Sequence, residues 1–279
     1  ATGAPRGRVT VEAPIVVLAG GAVGTPALLQ RSGMGGGGVG KWLRLHPTTV
    51  VSGLYDRTMY QSGGIPISSV CDEFIRGDGD GYGFWIECPP LYPAVSAVAL
   101  PGFGARHREA METLPRLCTM IVLTRDGADR ARSSGEVRVD RRGRTRIRYR
   151  LAAADGRMAL RGIEAAARIQ LAAGAEEVAT LHADECRIRC AAELGEIARR
   201  GFAPNRLGLM SAHVNGTCRI GRDPDTSGCS PSGERWRVPG LYVCDGSLLP
   251  TAPGVNPQET IMALASVVAE RIHARHRTG

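Results

Sequence analysis

The 279-residue sequence is poor in aromatic residues, with four Phe, three Trp and six Tyr. Single-stranded nucleic acids are bound by stacking bases on such side chains, so their scarcity argues against that partner even at a net charge of +8. The arginines behind the charge, in Arg125–Arg150 and Arg187–Arg200, have few aromatics between them and read as solvated faces. Long apolar runs are missing too. The longest, Pro14–Leu29, is broken by Gly20, Gly21, Gly24 and Pro26 and is too short for a bilayer, so no stable membrane insertion is expected. The opening Ala-Thr-Gly-Ala-Pro-Arg-Gly has no apolar signal segment and starts inside a running strand-turn pattern, as if mid-protein. No zinc-finger spacing exists among the eight cysteines, and no metal site is expected. Only Cys186 and Cys190 stand close, at a separation that could place both thiols on one helix face. Reduced, mostly buried thiols in a cytoplasmic setting are the expectation.

What is present has three stretches. Arg8–Ala13 alternates, and Ile15–Ala19 is a continuous apolar run expected as a parallel strand buried on both faces. Gly20-Gly21 turns the chain, Thr25 and Pro26 fit an N-cap and first helical position, and Gly33 fits a C-cap. A strand, a glycine turn and a helix N-terminus would present free amides to a pyrophosphate. The run Gly33–Gly38 formally fits G-x-G-x-x-G but follows a helix, so it reads as a loop; Ala19–Gly24 is a better-placed variant. From Pro47 the character changes to strands with few helices. Thr48–Tyr55 is a strand, Glu136–Asp140 and Thr145–Tyr149 a hairpin, and Asp155 the cap of an amphipathic helix ending at Gly174. After Gly208 come a short buried strand over Leu241–Cys244 and a helix from Gln258 to about Ala274, with Ile261, Leu264, Val268 and Ile272 on one stripe.

Chemistry-bearing residues concentrate in that last stretch: His213-Val214-Asn215-Gly216-Thr217-Cys218, Asp245-Gly246-Ser247 and Gly254-Val255-Asn256-Pro257. Together with Gly21-Ala22-Val23-Gly24-Thr25-Pro26-Ala27-Leu28-Leu29-Gln30-Arg31-Ser32-Gly33-Met34-Gly35, they make the sequence resemble the glucose–methanol–choline (GMC) family of FAD-dependent oxidoreductases. Leu45-His46-Pro47, Asp72-Glu73-Phe74 and Gly81-Tyr82-Gly83-Phe84-Trp85 look most like its long-chain fatty-alcohol oxidase branch. The likeness covers nearly the whole chain, but only the C-terminal half of a family member.

The resemblance implies an α/β plus α+β fold, a partial three-layer FAD-binding domain with an inserted antiparallel-sheet substrate domain. The segments would be 1–46 and 208–279 for the FAD-binding domain and 47–207 for the substrate domain. It implies FAD as cofactor, a small-molecule apolar alcohol, with the long-chain primary alcohols of the branch it looks most like, as substrate, and oxygen or another electron acceptor. His213 would take the hydroxyl proton as hydride moves to flavin N5, and Asn256 would hydrogen-bond the substrate oxygen. Asp245 and Gly246 would contact the ribityl–pyrophosphate region, the amides after Asn256 and Pro257 the flavin O2 edge, and Ala19 and Gly20 the adenosine side. Two departures stand out. No strand–G-x-G-x-x-G–helix with a distal Glu is present, and Trp42 stands where family members commonly carry Asn. The rival readings are a catalytically incomplete fragment or subunit needing a separate N-terminal half, and a nicotinamide-binding protein using Ala19–Gly24. His46 reads as a packing residue, and His107, His182, His273 and His276 as surface residues.

Overall fold

The turn at Gly20-Gly21 joins a strand to a helix, and the first and last segments meet there. The computed structural model describes residues 7, 9–63, 65–100, 102–127 and 135–277. Strand β1 (Val16–Leu18) runs parallel to the C-terminal strand β10 (Leu241–Val243), with Val17 opposite Tyr242. The parallel pairing agrees with the sequence, but burial on both faces does not. Val16 and Val17 are 45% and 47% exposed, because β1 is an edge of a two-stranded sheet among the described residues. Residues 9–13 form no strand, and Arg8 lies outside the described residues.

Helix α1 (Gly21–Arg31) begins earlier than the Thr25 cap expected for it, with Gly20 at the N-cap and Pro26 inside. A proline there cannot donate to the carbonyl of Ala22. Thr217 Oγ1 donates to that carbonyl instead, at 2.7 Å, tying the C-terminal segment to the helix. The helix ends in a Schellman turn, with Gly33 at φ 71°, its N–H on Gln30 O, and the Met34 N–H on Leu29 O. The glycine run that follows is a loop, as expected.

The middle region is an antiparallel sheet of β2 (Thr48–Leu54), β3 (Val70–Cys71), β4 (Phe84–Glu87), β5 (Leu117–Thr124), β8 (Glu177–Thr180) and β9 (Arg187–Ile188), in the order β3-β4-β5-β2-β8-β9. Alternation gives it two chemically different faces. Val51, Phe84, Ile86, Val122 and Val178 form the back and pack under helix α4 (Ala153–Ala172). The approach is close: a Cβ at Gly162 would stand 2.3 Å from Val122 Cγ1. Asp155 is not the cap of α4, which follows Ala152; its carboxylate, in the first turn, accepts the Gly127 N–H at 3.0 Å. Helices α2 (Pro93–Ala99) and α3 (Ala105–Glu112) follow β4 in the chain, and α5 (Gly195–Arg200) packs near α4. The hairpin β6 (Gly135–Val139) and β7 (Thr145–Tyr149) joins neither sheet. The Gln30 side chain of α1 donates to Val137 O and accepts from Val139 N–H, holding the hairpin against the first segment.

Helix α6 (Gln258–His276) lays Leu264, Val268 and Ile272 against Leu29 and β10. Two sequence expectations fail nearby in the middle region. Cys186 and Cys190 flank strand β9 rather than sharing a helix face, the first buried and the second exposed. His182 is buried, held by Thr180 Oγ1 at 2.6 Å and Gly201 O at 3.1 Å, because the strand ending at Thr180 carries it inward. All eight thiols are free; three are buried, four half-buried and one exposed. Much of the arginine charge is neutralised locally, Arg187 and Arg189 by Glu177 and Arg144 and Arg146 by Asp140. Among the described residues, no helix is long and apolar enough to cross a membrane.

Candidate active site

The front of the six-stranded sheet lines a cavity of about 330 Å³. Thr48, Val50 and Ser52 of β2 face it, as do Leu117, Thr119, Ile121 and Leu123 of β5, with Val95 and Ala99 of α2 on the far side. These are the alternate residues to those under α4, so a single pleat divides core from cavity. Glu87, His213 and Asn256 also line it, with the hydroxyl side chains Thr48, Ser52, Thr119 and Ser211. His213 and Asn256 come from loops preceding β10 and α6, 43 positions apart in the chain, and both line the cavity.

Backbone pairing fixes His213. Arg44 and Asn215 exchange both N–H···O bonds at 2.9 Å, and Thr48 and Met210 do the same. The two bridges differ in register by one residue, and in that of Arg44–Asn215 His46 lies opposite His213. The Asn215 Nδ2 donates to His213 O at 2.9 Å, and the His213 N–H reaches Ser211 Oγ at 3.2 Å. The two imidazoles meet through their Nδ1 atoms at 2.9 Å, ring centroids 5.0 Å apart. Burial lowers the His213 pKa, which keeps the ring neutral and able to accept a proton near neutrality. His46 is fully buried, at an unusual φ of 49°, with its backbone N–H and that of Leu45 donating to Asp126. Burial, then His213 and Arg125, push its pKa down to about 3.

Glu87 is the polar residue that sequence reasoning missed. It closes β4, is 2% exposed, and its Oε2 has no hydrogen-bond partner among the described residues. Burial raises its pKa, and the Asn256 and Trp85 side chains beside it pull the other way. The signal was the alternation of Phe84-Trp85-Ile86-Glu87, which sends Trp85 and Glu87 to the face opposite Phe84 and Ile86. His46 was also underestimated, since only the tertiary pairing sets it against His213.

The remaining expected residues gather elsewhere, at the C-terminal ends of β1 and β10. Ala19 and Gly20 are exposed there, beside buried Asp245 and Gly246. In open α/β sheets this end of the strands is where ligands settle. The N-terminus of α1 is not free for a pyrophosphate, contrary to expectation. Asp245 Oδ2 accepts from Gly21 N–H at 3.0 Å and from Thr25 Oγ1 at 2.5 Å, while Oδ1 accepts from Ser247 N–H. The carboxylate is already the anion at that helix end. Pro257 is buried at the N-cap of α6, whose first turn, Gln258 to Thr260, is exposed. Those amides of α6 suit an anionic cofactor group on this edge, whereas Gly20 and Gly21 already donate to Thr25 Oγ1 and Asp245.

Comparison with known proteins decides the family. Residues 2–48 and 131–265 match the N- and C-terminal parts of GMC oxidoreductase. The chain belongs to the GMC oxidoreductase family. It is 35% identical over 95% of its length to an uncharacterized GMC-type oxidoreductase of Mycobacterium tuberculosis, covering 40% of that protein. It is 32% identical over 96% of its length to a long-chain-alcohol oxidase of Arabidopsis thaliana, covering 37% of it. The chain thus spans about two fifths of the curated relatives it matches. Among solved structures, pyridoxine 4-oxidase from Mesorbium loti superposes with a TM-score of 0.62 at 20% identity, over 93% of this chain and 51% of that one. Formate oxidase superposes at 0.61 and 16% identity, over 95% and 55%. The fold is that of GMC flavoenzymes, mixed helices with antiparallel sheets. The family models that match this chain are those of an oxidoreductase family.

Proposed function

We propose that this GMC oxidoreductase oxidises the CH–OH group of an apolar, long-chain primary alcohol, with His213 as base and Asn256 as hydrogen-bond donor. The observation that carries the reading is a cavity with largely aliphatic walls whose lining includes His213, Asn256 and Glu87, read here as its polar end. An alkyl chain lies along β2, β5 and α2, and the hydroxyl comes to rest at the polar end. FAD, when bound, supplies the acceptor for the hydride leaving the carbinol carbon. His213 Nε2 takes the hydroxyl proton, and the Asn256 amide donates to the oxygen as negative charge grows on it. A neutral His213 is the form that can do this. Oxygen or another acceptor would then remove the electrons. Segments 1–46 and 208–279 would carry the cofactor edge and 47–207 the substrate wall, with hairpin β6–β7 docked on the former. Eight unpaired thiols support a cytoplasmic setting.

In the flavin-loaded protein, His213→Ala should slow flavin reduction at least ~10²-fold, as loss of a general base does, with FAD still bound. Unchanged reduction in stopped flow would remove His213 from that role. Asn256→Ala should slow the same step less.

A second reading is favoured by one observation, the exposed apolar Val16 and Val17 beside the cofactor edge. On it, FAD retention needs further polypeptide covering β1. The visible spectrum of the purified chain after FAD addition and gel filtration separates the two. A retained flavin band favours the chain as self-sufficient, and a colourless protein favours the second reading.

A further inference from the structure

We infer that His46 is the positioning residue of the proposed base: its Nδ1 accepts the Nδ1–H of His213, which leaves Nε2 of His213 bare and turned to the cavity when an alcohol is bound. This rests on the reading of His213 as base, and extends it to a residue on a different segment of the chain.

The geometry allows two arrangements. The Nδ1 atoms are 2.9 Å apart, so one proton lies between them and one ring donates it. If His213 donates, its Nε2 holds a lone pair and can accept the O–H of an alcohol. If His46 donates, His213 presents Nε2–H to the cavity and no imidazole acceptor is left there, only the buried Glu87 carboxyl, whose pKa burial raises toward the protonated form. A hydroxyl arriving beside Asn256 receives one hydrogen bond from the amide and must place its own proton. The bare Nε2 is the acceptor that fits, so the alcohol selects the first arrangement. His46 then carries its proton on Nε2, which is buried and has no partner among the described residues.

His46 holds the ring without competing for the proton. It is fully buried and Arg125 opposes a positive charge on it, so the proton taken from the alcohol stays on His213 and leaves from there. The groups around it agree. Asp126 is spent on the backbone N–H groups of Leu45 and His46 and on the Tyr149 hydroxyl, rather than on the imidazole. The strained φ of 49° at His46, set between the Arg44–Asn215 and Thr48–Met210 bridges, aims the ring at His213.

Long-range ¹H–¹⁵N correlation on the histidine-labelled chain, with 1-octanol present, reads the tautomer directly and needs no flavin. The expected spectrum assigns His213 as protonated on Nδ1. His46→Asn keeps an acceptor near the same place and tolerates the backbone angle, so it should preserve that signature; His46→Ala should lose it. In the flavin-loaded protein His46→Ala should slow reduction about tenfold, less than the ~10⁴-fold cost of a wrong tautomer in a carboxylate-oriented triad. His213 protonated on Nε2 in the unsubstituted chain, or a spectrum unchanged by His46→Ala, overturns the inference. If instead the tautomer is as stated but His213→Ala leaves flavin reduction intact, the base assignment fails and the pairing stands.

Discussion

The cavity makes a quantitative prediction that can be tested on the chain alone. Its walls are aliphatic over most of their extent, and its volume is about 330 Å³. At roughly 30 Å³ for a water-sized or methylene-sized group, that holds about ten methylenes. Each buried methylene contributes about 0.8 kcal/mol, which is about fourfold in affinity. Binding of 1-alkanols, followed by calorimetry or by displacement of a fluorescent fatty probe, should therefore tighten about fourfold per carbon. The gain should level off near about ten to twelve carbons, where the cavity is full. Val50 faces the cavity from the middle of β2, and Val50→Phe puts a ring into that space. The plateau should then come about three carbons earlier, with the slope below it unchanged. Equal affinity for 1-butanol and 1-decanol, or a plateau that Val50→Phe does not move, would refute the reading of this cavity as an alkyl site.

Glu87→Gln tests the buried carboxyl: burial raises its folded pKa, so the folded state holds the proton more tightly than the unfolded one and stability falls as pH rises above 4.5. The glutamine variant should be more stable than the parent at pH 7 and show a flatter profile in urea unfolding. His46 acts with the opposite sign. The unfolded ring protonates near 6.5 and the folded one near 3, so stability should fall as pH drops between those values, by as much as ~5 kcal/mol at about 1.36 kcal/mol per pH unit. His46→Asn should remove that part of the acid loss; equal loss in both proteins from pH 7 to 4.5 would contradict it. Thr217→Val leaves the Ala22 carbonyl without its donor and should cost about 1–3 kcal/mol in urea unfolding.

Local patterns carried a good deal. The apolar run at Ile15–Ala19, the β-branched run of Thr48–Tyr55, the alternation of the hairpin arms Glu136–Asp140 and Thr145–Tyr149 and the 3.6-residue stripe of α6 are short-range patterns, and each produced its element. The motif blocks around Gly21–Gly35 and after His213 carried the family, since a signature is a property of sequence. Other features depended on residues far apart in the chain. A proline within α1 was not legible, because the donor that serves the Ala22 carbonyl is Thr217, 195 positions away. Nor was the occupied helix N-terminus, because Asp245 reaches Gly21 only through the parallel pairing of β1 with β10. His46 looked like a packing residue beside a proline until an antiparallel register set it opposite His213. Glu87 became notable only when the sheet gave it an apolar cavity. Periodicity and motif are written within a few residues of each other, whereas burial, tautomer and pKa arise from side chains that only tertiary packing brings within hydrogen-bond reach.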